Sequence, residues 1–460
     1  MTNSRAQEHQ IGAIDLQSMV LINYKGSILD IRNICASFNI FSDIYDKGMS
    51  CDLTIQDSLG LLEKFPIVGD EVIFLRFKTT SFDSYVDYIF SVYKVSNRTN
   101  HKANSESYVL HCVSQEKLKN LKTKVEKVYK EKPISEMIQN IYNEYLRPTP
   151  SDFPRYSKKP ITVEDTKDDF YFISPKLSPL SLINLLSIEA QSSTYKSSTY
   201  MFYETSKGWF FKTIDSLLEQ EPKESFHRSH SSNENKNSDG EGEDTVFPYQ
   251  KILSLKFLNT PNTIASMNNG LYGNSTHVLD PIRKIFTRED FSYENNFDDI
   301  THLKGGKKIY PENSFFNSGT PEYYSAEYIV SDYGDNYANL DYIKKGKDID
   351  LRIKNTRKYH KFGKYNTAML GQLGNIVLEI IISGNSEMEI GDMINVFIPQ
   401  TDAAVPPKNN TNLLFGDNNE AKFLITAIRH SFIASKNSYI TTIQCVRDSY
   451  VKTPTEISDF

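Results

Sequence analysis

Nine histidines, four cysteines and 58 aspartates and glutamates are the groups in this 460-residue chain with catalytic or metal-binding potential. Acid–base, nucleophilic and zinc chemistry each need such residues in a defined pattern. The histidines are dispersed, with no HExxH pair and no cluster. His111 and His430 fall in expected strands, where a packed or surface role suits an imidazole. Cys35, Cys51, Cys112 and Cys445 show no CxxC spacing, which fits a reduced protein assembled in the cytosol. The stretch LKGGKKIYP (303–311) has glycines and lysines but not the spacing of a phosphate-binding loop. Among the carboxylates nothing singles out a glycosidase-like pair. No catalytic, cofactor-binding or metal-binding residue is assigned, and the chain is expected not to be an enzyme.

The bulk properties bound the remaining classes. Hydrophobic residues make up 39% of the chain, aromatics 12% and charged residues 24%, enough for packed cores in several domains. A net charge of −6 lacks the basic footprint of a dedicated nucleic-acid binder, without excluding DNA that passes nearby. No apolar run approaches the roughly 18 residues of a membrane span. The start MTNSRAQEHQIGAIDLQSM has neither the basic head nor the apolar stretch of a secretory signal.

The elements that must carry any function are mostly strands. LTIQDS (53–58), DEVIFLRFKT (70–79), VDYIFSVYKV (86–95) and YVLHCVS (108–114) read as four strands, with SNRTNHKANSES (96–107) as a loop. The charged run 116–132 spaces Leu118, Leu121, Val125 and Val128 at roughly helical intervals, and a helix running into a strand is left open; its charges read as a solvated face. ISEMIQNIYNEYL (134–146) carries one apolar stripe behind Pro133. SPLSLINLLSIEA (178–190) has Ser178 as N-cap and Pro179 at the first helical position. TYMFYETSKGWFFKTI (199–214) reads as a hairpin whose Gly208 can take positive φ. Residues 221–244 are polar and read as an exposed flexible loop. KILSLKFLN (251–259) returns to strand, and 298–342 is aromatic, Gly-rich and irregular.

One phrase occurs twice. The first third holds CDLTIQDS, VGDEVIFLRF, YIFSVYKV and YVLHCVSQE; the last quarter holds IVLEIIIS (376–383), IGDMINVFIP (390–399), FLITAIRH (423–430) and YITTIQCVRDS (439–449). Gly69-Asp70 aligns with Gly391-Asp392, and Cys112-Val113 with Cys445-Val446. A single Gly-Asp before a strand is ordinary turn chemistry. Four strands recurring in order imply two copies of one β unit, with Gly69, Asp70, Gly391 and Asp392 as its structural turns. Three copies of a chain with two equivalent modules can build a threefold ring of six similar modules.

The expected fold is therefore mainly β with α+β parts. A first antiparallel barrel covers 1–115, a mixed α/β domain 116–220 and the flexible loop 221–244. A second barrel is made discontinuously from 245–290 and 365–450, around an inserted aromatic and Gly-rich lobe at 291–364, with a C-terminal tail at 451–460.

Taken in order, several stretches resemble the baseplate hub proteins of contractile-tailed bacteriophages of the T-even type. They are DLTIQDSLGLLEKFPIVGDEVIFLRFKT (52–79), HCVSQEKLKNLKTKV (111–125), SPKLSPLSLINLLS (174–187), YMFYETSKGWFFKTIDSL (200–217), GNIVLEIIISGNSEMEIGDMINVFIP (374–399) and FLITAIRH (423–430). The resemblance implies tail-tube-like barrels in a homotrimer with pseudo-sixfold symmetry. It implies a ring that joins the hexameric tail tube to the trimeric central spike, touches other baseplate subunits and leaves a channel through which DNA passes without specific binding. It places the protein in the virion baseplate, assembled in the host cytoplasm. The loops 221–244 and 400–420 exceed the family pattern. Two alternatives stand beside this reading: a tail-associated cell-wall hydrolase, and a spike-base protein of a tailocin or secretion-like contractile system.

Overall fold

The computed structural model describes residues 12–452 except 59, 66, 103–104, 150–158, 229–247, 261, 281–283, 304, 309–325, 332–358, 399–413 and 416–419. The fold is mainly antiparallel β with helical parts, as the sequence pattern predicts.

The first unit consists of β1 (Ile14–Ile22), β2 (Ile28–Asp30), β3 (Cys35–Asp43), β4 (Ser50–Asp57), β5 (Val72–Thr79), β6 (Val86–Lys102) and β7 (Ser105–Ser114). They pair antiparallel in the order β2-β1-β5-β6-β7-β4-β3. Period-two alternation sends Cys51, Leu53 and Ile55, and Tyr108, Leu110 and Cys112, to one face, where all are buried. That face curls on itself. The rings of Phe38 on β3 and Phe77 on β5 lie 5.6 Å apart. Four strand steps separate β3 from β5, about 19 Å in a flat sheet. β6 and β7 run through most of the segment expected as a loop at 96–107. Cross-strand pairs as far as Lys102↔Ser105 extend the hairpin, at the cost of three bulges in its register.

The mixed unit adds β8 (Val128–Lys132), β9 (Ile161–Val163), β10 (Phe170–Ile173), β11 (Tyr200–Glu204) and β12 (Trp209–Thr213). In the charged run the helix Gln115–Lys122 ends before Thr123. Of its four apolar positions Val125 is buried, while Leu121 and Val128 are exposed. The helix Ile134–Ile141 continues as a π turn, Tyr142–Leu146, and buries its stripe of Ile134, Met137, Ile138, Ile141 and Tyr142. Pro133 takes the N-cap position there. In the helix Pro179–Glu189, Pro179 opens the first turn; the Ser178 hydroxyl donates to Ser181 Oγ (2.8 Å) and caps no backbone N–H. Gly208 has no positive φ. A Cβ there would meet the Pro160 carbonyl oxygen at 2.7 Å, so close backbone approach requires the glycine.

The chain then forms β13 (Glu224–His227), β14 (Ile252–Asn259), β15 (Gly273–Asp280), β16 (Ile285–Ser292), β17 (Ala326–Ser331), β18 (Ile376–Ser383), β19 (Met393–Phe397), β20 (Glu420–Ile433) and β21 (Ser438–Arg447). The second unit pairs as β14-β18-β21-β20-β19-β13. Three expectations change here. Residues 224–227, expected within the flexible loop, form β13 parallel to β19, because Phe226 is fully buried there; 229–244 lie outside the described residues. Of 245–290, expected in the second barrel, only β14 joins it. β15 and β16 pair with each other and with β17 in a separate three-stranded sheet, so the lobe begins at Gly273 rather than 291. The loop at 400–420 lies outside the described residues apart from Leu414, Phe415 and Glu420.

Three apolar clusters organise the chain. The first gathers strands β1–β7 and takes in Phe432 and Tyr439 from the second unit. The second lies in the mixed unit between Val125 and Phe211. The third joins Ile214, Leu217 and Leu218 to the second unit and to the foot of the lobe.

Candidate functional site

Five strands of the two units repeat in the same order. In the first, β4 pairs with β7, β7 with β6 and β6 with β5; in the second, β18 pairs with β21, β21 with β20 and β20 with β19, all antiparallel. β3 beside β4 corresponds to β14 beside β18. Cys112 faces Cys51 on one side and Val92 on the other; Cys445 faces Leu378 and Ile425. The register slips by one residue directly after each contact, between Val92 and Lys94 and between Ile425 and Ala427. A bulge at the same place in both copies marks them as one structural unit. The cysteines are buried packing groups, and burial pushes all four thiols well up.

The Gly-Asp turns differ in detail. Gly69 has φ +90° and Gly391 φ +85°, a region that disfavours other residues. Strand pairing sets Val72 level with Met393, so Glu71 rather than Asp70 is the counterpart of Asp392. The hydrogen bonds agree: Val92 N–H donates to the Glu71 carbonyl at 2.8 Å, and Ile425 N–H to the Asp392 carbonyl at 2.9 Å. The Glu71 carboxylate collects the N–H groups of Val68, Gly69 and Asp70 at 2.8–3.1 Å, while that of Asp392 takes the Glu389 N–H at 3.0 Å and pairs with Lys223 at 2.8 Å.

The repeats join edge to edge. β20 pairs with β19 through Glu420–Leu424, then with β3 from Ala427↔Asp43 to Ile433↔Ser37. One sheet of 13 strands results. Phe432 crosses the seam to pack on Phe38, with ring centroids 5.2 Å apart, and Tyr439 meets the edge of Phe77 at 5.7 Å. His430 is fully buried beside the Tyr439 hydroxyl (2.9 Å), and burial pushes its imidazole down to about 4.

A second junction ties in the mixed unit. Lys159 Nζ reaches Glu204 Oε1 at 2.6 Å and the Thr205 carbonyl at 3.0 Å, and the other Glu204 oxygen accepts the Met49 N–H at 2.9 Å. Glu389 accepts from the Ser206 hydroxyl. Burial raises its carboxyl above the usual range, Asp392 adds to this, and Ser206 opposes it. A polar cleft of about 300 Å³ opens beside Ser206, Lys223, Ser386 and Glu389. Thr79 N–H donates to Ser386 Oγ (3.1 Å), and Ser386 N–H to Thr79 Oγ1 (3.0 Å). These carboxylates hold parts of the chain together. Among the described residues no group of three His, Cys, Asp or Glu side chains is arranged to hold a metal ion.

One constellation was missed by sequence spacing. His111 Nδ1 lies 2.6 Å from Asp52 Oδ1, and its Nε2 lies 2.7 Å from Ser96 Oγ. Strand pairing places Asp52 opposite His111, with Ser96 two residues beyond the pair Lys94↔His111. The order of groups is that of a nucleophilic triad. Such a triad also needs converging N–H donors at the oxyanion. Here the ladder directs strand N–H groups in the plane of the sheet, across the side chains of this face. The trio therefore reads as a cross-strand lock on β4, β7 and β6.

The chain superposes on the tail protein from Neisseria meningitidis MC58 with a TM-score of 0.52 at 9% identity, covering 94% of this chain and 96% of that one. The fold is that of phage tail proteins. The prophage MuSo2 43 kDa tail protein from Shewanella oneidensis matches with a TM-score of 0.51 at 8% identity, over 94% of this chain and 99% of its own. No protein-family model and no curated protein matches the sequence. A shared fold at this identity fixes architecture and leaves activity and partners open. Among the described residues no helix is long and apolar enough to cross a membrane.

Proposed function

We propose that this chain is a structural subunit of a phage tail, the hub of its baseplate. Three copies form a ring of six quasi-equivalent modules. One face continues the hexameric tail tube, the other holds a trimeric central spike, and other baseplate subunits pack around it. The observation that carries this reading is the duplication: two units with the same strand order and the same bulge, fused edge to edge through β3 and β20. A ring of such pairs has true threefold and approximate sixfold symmetry, which is what an adaptor between a hexamer and a trimer requires. DNA passes through the central channel without sequence-specific contacts. No catalytic role is part of the proposal, and neither the Ser96–His111–Asp52 lock nor the buried carboxylates are assigned one.

The test is the mass of the purified protein by light scattering, alone and mixed with the spike protein of the same tail. A trimer, or a three-to-three complex, supports the adaptor. A monomer under both conditions refutes it.

A further inference from the structure

The seam inside the chain shows how one unit receives the next. β20 has two partners along one edge: β19 up to Leu424 and, past the bulge, β3 of the other unit. Its counterpart β6 pairs with β5 from Val86 to Ser91; past the equivalent bulge, from Lys94 to Ser96, its ladder among the described strands runs only to β7. The counterpart of β3 is β14, whose ladder among the described strands runs only to β18. Each chain thus holds one completed seam and the two halves of another.

Burial points the same way. Ile40 on β3 and Phe257 on β14 occupy equivalent positions, opposite Cys51 and Leu378. Ile40, covered by the seam, is 0% exposed; Phe257 is 40% exposed, and its neighbours Leu253 and Leu258 are exposed at 56% and 41%. An edge strand that shows this much apolar surface is a template for pairing with another chain.

We propose that β14 of one copy pairs antiparallel with the Lys94–Ser96 segment of β6 in a second copy, repeating the β3–β20 seam between chains. This rests on the ring proposed above and names its interface. By equivalence with Phe41↔Arg429, Asn259, which follows the bulge after Phe257, faces Ser96 of the second copy, and Phe257 lies level with the bulged Asn97. Three such seams and the three internal ones make one continuous closed sheet. Its face away from the apolar cores, carrying Asn39, Asp52, His111, Thr442 and Gln444, then lines the channel.

The test is cysteine cross-linking of the full chain. Opposed residues across an antiparallel pair have Cβ atoms about 4.5–5.5 Å apart, within reach of a disulfide. Phe257→Cys with Asn97→Cys, and separately Asn259→Cys with Ser96→Cys, are oxidised at concentrations where light scattering reports the trimer. The expected result is covalent dimers and trimers on a non-reducing gel for at least one double variant and for none of the four single variants. A protein that is trimeric by mass yet gives no covalent multimer from either pair overturns the seam while leaving the ring standing. A monomer at every concentration removes both. As a second measurement, Phe257→Asp is expected to lower the mass to that of a monomer, whereas Leu279→Asp, at a residue 42% exposed on the lobe sheet, leaves it unchanged. A trimer that survives Phe257→Asp overturns the seam.

Discussion

Alanine at Gly391 and alanine at Gly69 make an informative pair, since both glycines have positive φ just before a strand and differ in what surrounds them. At φ +85° and +90° a side chain costs about 1–2 kcal/mol in either place. At Gly69 the added Cβ meets the Tyr93 carbonyl oxygen at 3.7 Å, an ordinary contact. At Gly391 it meets the Tyr203 hydroxyl oxygen at 2.6 Å and Cζ at 3.2 Å. Tyr203 is 3% exposed and its ring stacks on Phe210 with centroids 5.5 Å apart, so it has no room to swing aside. Overpacking of this kind adds about 1–3 kcal/mol. Gly69→Ala is therefore expected to cost about 1–2 kcal/mol and Gly391→Ala about 2–5 kcal/mol, the sum of the strain and packing terms. Tyr203→Phe removes the clashing oxygen, so in the Gly391→Ala background it should recover most of the packing term. The assay is urea unfolding of the wild type, the three single variants and the Gly391→Ala/Tyr203→Phe double variant, read as a double-mutant cycle. Equal stabilities for the two alanine variants, or no recovery with Tyr203→Phe, would refute the steric argument. Valine at either glycine should be worse than alanine, because β-branching narrows the backbone further.

Lys159→Met leaves the Glu204 carboxylate buried without its cation, and is expected to cost about 3–5 kcal/mol of unfolding free energy. The same measurement on Lys176→Met, whose pair with Glu126 is solvent-exposed, should show little change. Phe432→Ala removes the ring that covers Phe38 across the seam. A loss of about 3–5 kcal/mol is expected, and a smaller one would mean that the first unit holds its core without the second. His430 titrates near 6.5 when unfolded and about 4 when folded, so the unfolded chain binds the extra proton as pH falls. Its contribution is present in full above pH 6.5 and is lost between 6.5 and about 4, some 3 kcal/mol in all. His430→Gln should flatten the decline in unfolding free energy across that window, and an unchanged slope would assign the acid sensitivity elsewhere.

The sequence by itself determined β4, β5, β7, the β11–β12 hairpin, β14 and β18 to β21, the helices that open at Pro133 and Pro179, and the duplication, because these depend on local periodicity and turn chemistry. Alternation in YVLHCVS places Tyr108, Leu110 and Cys112 on one face whatever the partner strands are. Partners and register were another matter. Matching letters aligned Asp70 with Asp392, but the ladder puts Glu71 in that place, where its carboxylate accepts the N–H of the residue three before it as that of Asp392 does. The polar segment at 96–107 looked like a loop, since a hairpin held by its ladder and by pairs such as Arg98–Glu106 needs no apolar face. β13, the pairing of β15 with β17 in the lobe sheet and the seam between β3 and β20 join residues tens to hundreds of positions apart. So does the Ser96–His111–Asp52 trio. No local pattern encodes such pairings. They are chosen by which apolar edges the folded chain can cover, and only the tertiary structure decides that.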